Sequence, residues 1–317
     1  MLFPFRSPAP LIYTPGEGWR YEPAGGGGNW QRTRAKDQLI VAQDAFDKKD
    51  YSLALKAAIR VVKVWPLSDF APQAQYIVGR CYETKGRDEK AFKEYQTLIE
   101  KYPKAVHYDE VLQRQYQISL RFLAGQWFRV WDLIPLYSSM DKTAELFDKI
   151  VKSGPYSSVA PQAQMKIGAA REKQGNYRCR ESYEVAADRY FDRPQIAADA
   201  LYKEALAYNK QAATAEYDQN TAGQAIAVFT DFMTLYPGDP RVPEAQKIIA
   251  SLKIEQARGN LEIARFYEKR NHEEAARIYY NEVVSLSLGE SHSPYAEIAK
   301  ARLATINSQL RKDSGAK

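Results

Sequence analysis

Ala71-Pro72-Gln73-Ala74-Gln75-Tyr76-Ile77-Val78-Gly79-Arg80-Cys81-Tyr82, continued by Gly86, Ala91, Tyr95, Leu98 and Tyr102-Pro103, decides the reading of this chain. Small and apolar residues recur here at three- and four-residue spacing, the period of a helix with one buried face. Gly86 interrupts that period and Pro103 ends it, so the segment reads as two helices joined by a short turn. Gly79 and Ala91 let the two helices cross closely, and Tyr82 and Tyr95 fill the space toward a neighbour. Trp65-Pro66 stands 37 residues before Tyr102-Pro103, and Tyr236-Pro237 repeats the step once more. Self-similarity at such a period marks a solenoid, because one hairpin cannot bury its apolar face alone and stacked neighbours can.

Counting Pro72 as position one places Gly79 at eight, Tyr82 at eleven, Ala91 at twenty, Tyr95 at twenty-four and Pro103 at thirty-two. Those positions define a tetratricopeptide (TPR) unit. Working outward, Ala42, Ala45, Ala54, Ala58 and Val61 take the small-residue positions of an earlier hairpin broken at Asp47–Asp50. Ala160-Pro161-Gln162-Ala163-Gln164 repeats the quoted opening, and Gly168 and Gly175 match Gly79 and Gly86. In that unit Cys179 takes a small-residue slot and Tyr183 the aromatic one. Further units open after Pro194 and at Val242-Pro243. Pro294 starts a last helix to about Leu310, polar on one side as a terminal cap is. The pattern predicts an all-α, TPR-like helical-hairpin solenoid of about six units with an extended N-terminal arm.

The arm spans 1–33, where five prolines and Gly25 to Gly28 prevent regular helix. Within it Leu11-Ile12-Tyr13 and Trp19-Arg20-Tyr21 flank a Pro15-Gly16 turn, an aromatic extended segment of the kind that docks on a folded neighbour. Repeats follow over 34–194 and over 195–310 with the cap, then a tail over 311–317. Two places break the register. One is the polar stretch Thr214 to Asn220. The other is the apolar insertion Gln126–Leu136, where Trp127, Arg129 and Trp131 either pack on the next hairpin or form an exposed interface patch.

Composition excludes several function classes. The 317 residues are 45% hydrophobic and 26% charged, as in ordinary globular chains. A net charge of +6 from 45 basic and 39 acidic residues, scattered without runs, gives no nucleic-acid footprint. No stretch reaches 18 apolar residues, so no transmembrane helix is expected. Met1–Pro10 reads either as the remnant of a secretory signal or as an ordinary tail. Cys81 and Cys179 lie on helical patterns and read as buried thiols. His107, His272 and His292 have no second ligand at metal spacing, and no nucleophile elbow or phosphate loop occurs. No catalytic residue, metal or cofactor is expected.

Binding is the remaining class. Groove-facing positions two, five, nine and twelve of a TPR unit are Lys36, Leu39, Gln43 and Phe46 in the first hairpin. In the second they are Gln73, Tyr76, Arg80 and Glu83. Their mixture of aromatic, apolar and bidentate polar groups suits an extended peptide; the plainer reading is a solvated face.

These motifs resemble one family, the BamD-like TPR lipoproteins of the outer-membrane β-barrel assembly machinery. The resemblance rests on the Tyr-Pro steps, on the Ala-Pro-Gln-Ala-Gln openings and, above all, on Ala264-Arg265-Phe266-Tyr267-Glu268-Lys269-Arg270, Glu274-Ala275-Ala276-Arg277-Ile278-Tyr279-Tyr280 and Ser293-Pro294-Tyr295-Ala296. It covers about 34–310. It implies a periplasmic scaffold, peripheral to the outer membrane if an upstream signal is removed or omitted. Such a scaffold binds the integral barrel-assembly protein, other assembly subunits and unfolded barrel peptides. The chain departs from the family in lacking a lipobox cysteine near its start, in its six hairpins, in its aromatic–glycine arm and in the insertion. Another envelope TPR scaffold, for cell division or peptidoglycan coordination, or a soluble TPR adaptor, are the alternatives.

Overall fold

A computed structural model describes residues 11–14, 18–21, 30–104, 107–130, 134–214, 219–287 and 294–315. These residues hold thirteen helices and four short strands. The chain divides into two compact units, Met1–Ala163 and Gln164–Lys317.

In the first unit, β1 (Leu11–Thr14) and β2 (Gly18–Tyr21) form an antiparallel ribbon with Tyr13 opposite Trp19. The two rings lie 5.2 Å apart and both stay exposed. The expected turn at Pro15-Gly16 and the Gly25–Gly28 tether lie outside the described residues. The hairpins follow as α1 (Ala35–Asp47) with α2 (Tyr51–Val64), then α3 (Ala71–Thr84) with α4 (Asp88–Lys101). The third pairs α5 (Tyr108–Leu123) with α6 (Met140–Ser153). The apolar insertion expected between these two helices holds a second ribbon, β3 (Phe128–Val130) against β4 (Ile134–Tyr137). Pro135 forbids a helix there, while Phe128, Val130 and Ile134 favour a pleated strand.

The helix α7 (Ala160–Lys173) opens the fourth hairpin and carries the division between the units. In the second unit, α8 (Cys179–Arg189) completes that hairpin. Next come α9 (Pro194–Thr214) with α10 (Gln219–Leu235), then α11 (Val242–Lys269) with α12 (Glu273–Leu286). The last helix, α13 (Ala296–Gly315), continues past Leu310, so Arg311–Gly315 is helix and not a frayed tail. Pro194 is the first residue of α9, where its missing N–H costs nothing. Six hairpins and a closing helix result, the TPR-like architecture that the repeat predicted.

Local chemistry explains the breaks. Asp50 caps α2, its carboxylate accepting from the backbone N–H of Ser52 and Leu53 at 3.2 and 3.0 Å. Four of the hairpin turns reach the left-handed region at one equivalent residue: Lys49, Gly86, Gly175 and Asn271, with φ of 63°, 66°, 70° and 61°.

Close helix crossing is equally direct. A Cβ added at Gly79 would stand 2.3 Å from the Tyr95 ring, and one at Gly168 would stand 2.4 Å from the Tyr183 ring. Both tyrosines are fully buried. Between α1, α2 and α3, Ala42, Ala54, Ala58, Val61, Ala74 and Cys81 belong to one core of mostly small side chains. Cys81 and Cys179 are free and buried, and burial pushes the Cys81 thiol up to about 11, so both serve packing.

Candidate functional site

The outward residues of α1 and α3 meet each other and the next helix. Arg80 lies over the Phe46 ring at 5.3 Å and over the Tyr76 ring at 5.8 Å, and donates to the Tyr76 hydroxyl at 3.1 Å. The Tyr76 hydroxyl itself donates to Glu110 on α5, and the His107 ring stacks on it at 4.6 Å. Arg114, also on α5, donates to Tyr76 at 3.2 Å and to Glu110 at 2.8 Å, and reaches Glu83 at 3.3 Å. Arg121 grips Asp88 through two bonds of 2.8 and 2.7 Å.

Electrostatics follow this geometry. Partial burial raises the Glu110 carboxyl, but bonds from Tyr76 and Arg114 outweigh it and hold the group below the usual carboxylate range. Burial and then the Glu110 bond push Tyr76 up.

The eight expected groove residues therefore divide. Tyr76 and Leu39 are buried and support the surface from beneath. Glu83 is tied to Tyr95 and Arg114. Gln43, Phe46 and Arg80 are half-buried, and Lys36 and Gln73 are exposed. Gln73 lines a cavity of about 440 Å³ with Pro72, Leu98, Tyr102 and His107.

At the insertion, Phe128 is buried and stacks on Phe122 at 4.1 Å, with the Lys142 ammonium 5.3 Å from its ring. Trp127 beside it is 54% exposed. The Arg129 backbone pairs opposite Pro135, and Trp131 lies outside the described residues.

One set of contacts escaped the sequence reading. Glu83, Glu172 and Glu268 stand four residues after Gly79, Gly168 and Ala264. They accept the hydroxyls of Tyr95, Tyr183 and Tyr280 at 2.7, 2.9 and 2.5 Å. A basic residue of the following first helix completes each: Arg114 beside Glu83, Lys203 over the Tyr183 ring at 5.8 Å, and Arg302 on Glu268. Burial, then the Glu268 bond, push the Tyr280 hydroxyl up to about 12. The recurrence of a glutamate four residues after the small crossing residue, with a tyrosine eleven or twelve residues further on, was the available signal. Among the described residues no group of His, Cys, Asp or Glu is arranged to hold a metal, and no helix is long and apolar enough to cross a membrane.

Hairpins, turn chemistry and inter-helix tyrosines together define a tetratricopeptide-type scaffold. Residues 42–106 match the tetratricopeptide repeat model, and residues 137–287 match the model of the outer membrane lipoprotein family YfiO. None of the curated proteins matches the chain. Among solved structures, a tetratricopeptide repeat protein from Parabacteroides merdae is 12% identical, with a TM-score of 0.35, over 86% of this chain and 98% of that one. The C-terminal part of a TPR repeat-containing protein from Cytophaga hutchinsonii is 16% identical, with a TM-score of 0.36, over 84% and 87%. MamA from Desulfovibrio magneticus is 13% identical, with a TM-score of 0.33, over 65% and 97%.

Proposed function

We propose that this chain is a non-enzymatic protein-binding scaffold of outer-membrane β-barrel assembly. It works on the periplasmic side and holds an integral barrel-assembly protein and other assembly subunits, and it receives unfolded barrel peptides. The observation that carries the reading is the outer membrane lipoprotein match over 137–287, which runs from the insertion ribbon through α12. The separate tetratricopeptide match over 42–106 supports a second, peptide-binding role for the first hairpins.

In this reading Lys36, Gln43, Phe46, Gln73 and Arg80 meet the peptide, while Leu39, Tyr76 and Glu83 hold that surface in shape. Trp127 and Arg129, with Trp131, serve the interface with an assembly subunit. The plain tetratricopeptide match also suits an envelope scaffold of cell division or peptidoglycan coordination.

Crosslinking in native membranes followed by purification separates the two. Recovery of an integral β-barrel protein, identified by mass spectrometry, is the expected result. Recovery of division or wall-synthesis proteins with no barrel protein rejects the lead reading. The Arg80→Ala and Gln73→Ala variants should weaken capture of an unfolded barrel peptide about tenfold together, the scale of two lost polar contacts.

A further inference from the structure

Two carboxylates are buried among the described residues, and the fold treats them differently. Asp88, 6% exposed, is gripped twice by Arg121 and takes a third bond from Gln126 at 2.8 Å. Glu204, 5% exposed, makes no hydrogen bond and no ion pair among the described residues. A buried carboxylate left without such a bond is costly. The architecture of the repeat does not ask for one here. Glu204 precedes Ala205 on α9, as Val78, Ile167 and Ile263 precede the crossing residues Gly79, Gly168 and Ala264. Three hairpins put an aliphatic side chain at that position, and the fifth puts a carboxyl there.

The helix α9 packs on both α8 and α10, and carboxylates from both act on Glu204: Glu184 and Asp188, one turn apart on α8, and Asp231 on α10. These three are exposed, so they rim a pit with Glu204 as its floor. Asp231 is the one charged residue of α10. The cations of these helices are engaged or set apart. Arg180 donates to Gln211 at 2.6 Å, with its guanidinium 5.1 Å from the Tyr208 ring. Lys203 lies over the Tyr183 ring at 5.8 Å. Lys210 stands by Cys179 at the start of α8, and Arg189 is exposed at its end. Burial, and then the repulsion of the three carboxylates, raise the Glu204 carboxyl. Among the described residues no group of His, Cys, Asp or Glu is arranged to hold a metal. The cation that suits this pit is an organic one. A guanidinium forks across more than one carboxylate, and its aliphatic stem passes a half-covered rim.

We propose that this pit between α8 and α10 receives an arginine side chain of a partner protein, its guanidinium bridging Glu204 to the rim carboxylates Glu184, Asp188 and Asp231. The proposal rests on the reading of the chain as a protein-binding scaffold, and it gives one partner contact of the second unit a definite chemistry.

Magnetic resonance titration of the full chain tests it, with an N-acetylated, C-amidated peptide that carries one arginine in a glycine–serine background. The same peptide with citrulline or lysine at that place, and spermidine, serve as comparisons. The arginine peptide should shift signals of 179–189, 194–214 and 219–235, the lysine peptide should bind more weakly, and the neutral citrulline peptide should leave the signals unmoved. Glu204→Gln keeps the size of the side chain and removes its charge, and it should weaken arginine binding about tenfold at pH 8. Asp231→Asn, at an exposed position, should weaken it less. Parent affinity should rise from pH 6 to pH 8, because the guanidinium needs the ionised carboxyl, and Glu204→Gln should remove that rise. Circular dichroism of both variants should remain that of the parent. Equal binding of the citrulline peptide, or unchanged affinity and pH dependence in Glu204→Gln, overturns the proposal. Spermidine binding as tightly as the arginine peptide also overturns it, since the pit is then a general acidic patch. Capture of an integral barrel protein by a chain that ignores the arginine peptide removes this inference and leaves the assembly role standing. Arginine binding that depends on Glu204, in a chain that captures no barrel protein, does the reverse.

Discussion

The second and fourth hairpins open on the same five residues and make the same internal bonds, yet their outer faces have opposite electrostatics. In both, the last glutamine of the opening donates to the carbonyl just ahead of the buried tyrosine, Gln75 to Glu94 at 3.1 Å and Gln164 to Ser182 at 3.0 Å. In both, that tyrosine donates to a glutamate of the first helix. Beyond the second hairpin, α5 brings Arg114 and Arg121 onto Glu83 and Asp88. Beyond the fourth, α9 buries Glu204, which is 5% exposed, in the field of Glu184, Asp188 and Asp231, with Arg180 as the opposing cation. Burial first, and then those carboxylates, push Glu204 up to about 7. Bonds inside a hairpin are fixed by nearness in the chain and recur; contacts between hairpins are set one by one.

The strongest way to break that comparison is to test whether the internal contacts are equivalent. Gly79→Ala and Gly168→Ala each force a methyl group into a fully buried ring, and neither ring has room to retreat. Each should cost about 3 kcal/mol, the upper end for overpacking. Denaturant unfolding gives the size, and hydrogen exchange at 88–101 and 179–189 locates the damage. If one hairpin absorbs the methyl without loss, their packing is not the same.

Glu204→Gln examines the opposite side of the comparison. A carboxyl raised in the folded state contributes its stability in full below its ordinary value of 4.5, and loses that contribution as pH rises toward about 7. The glutamine variant should therefore be more stable than the parent at pH 8, by about 2 kcal/mol, and should lose the decline between those two pH values. Urea unfolding across pH 4 to 8 measures both. A parent-like slope in the variant would show that Glu204 is solvated and that the two interfaces do not differ as described.

The fold was legible because its determinants are local. Gly79, Tyr95 and Pro103 act within one hairpin, and Gly86 sets one turn, so spacing alone placed them. The surface was harder for a reason visible at Glu83. Position twelve faces a groove only where the next helix leaves it open. Arg114, 31 residues later, closes over it, and no local pattern reports that. Tyr76 was misplaced in the same way, since Glu110 of α5 and His107, the residue just before that helix, cover it. The ribbon β3–β4 was invisible because seven strand residues give too short an alternation to separate from irregular apolar chain.

Removing one hydroxyl sharpens the comparison further. Tyr95→Phe leaves the half-buried Glu83 without its closest donor and should cost about 1 kcal/mol. Tyr183→Phe should cost about half as much, because Glu172 is exposed and water replaces the lost hydroxyl. Thermal melts of the two variants against the parent decide it. Equal losses would mean that the arginines around Glu83 add nothing to the lock.

The smallest effect concerns the turn that four of the hairpins share. Glycine fills the left-handed position at Gly86 and Gly175, where no side chain opposes a positive φ. Lys49 holds the same conformation with a Cβ, which strains the backbone by about 1 kcal/mol. Lys49→Gly relieves that strain but frees the unfolded chain, so the net gain should be about 0.5 kcal/mol. Asn271→Gly should change almost nothing, since asparagine visits this region readily. Paired melts of the two variants read the difference directly. A loss at Lys49→Gly would mean that the lysine side chain stabilises the first turn by more than its backbone strain, and that the turns are equivalent in shape only.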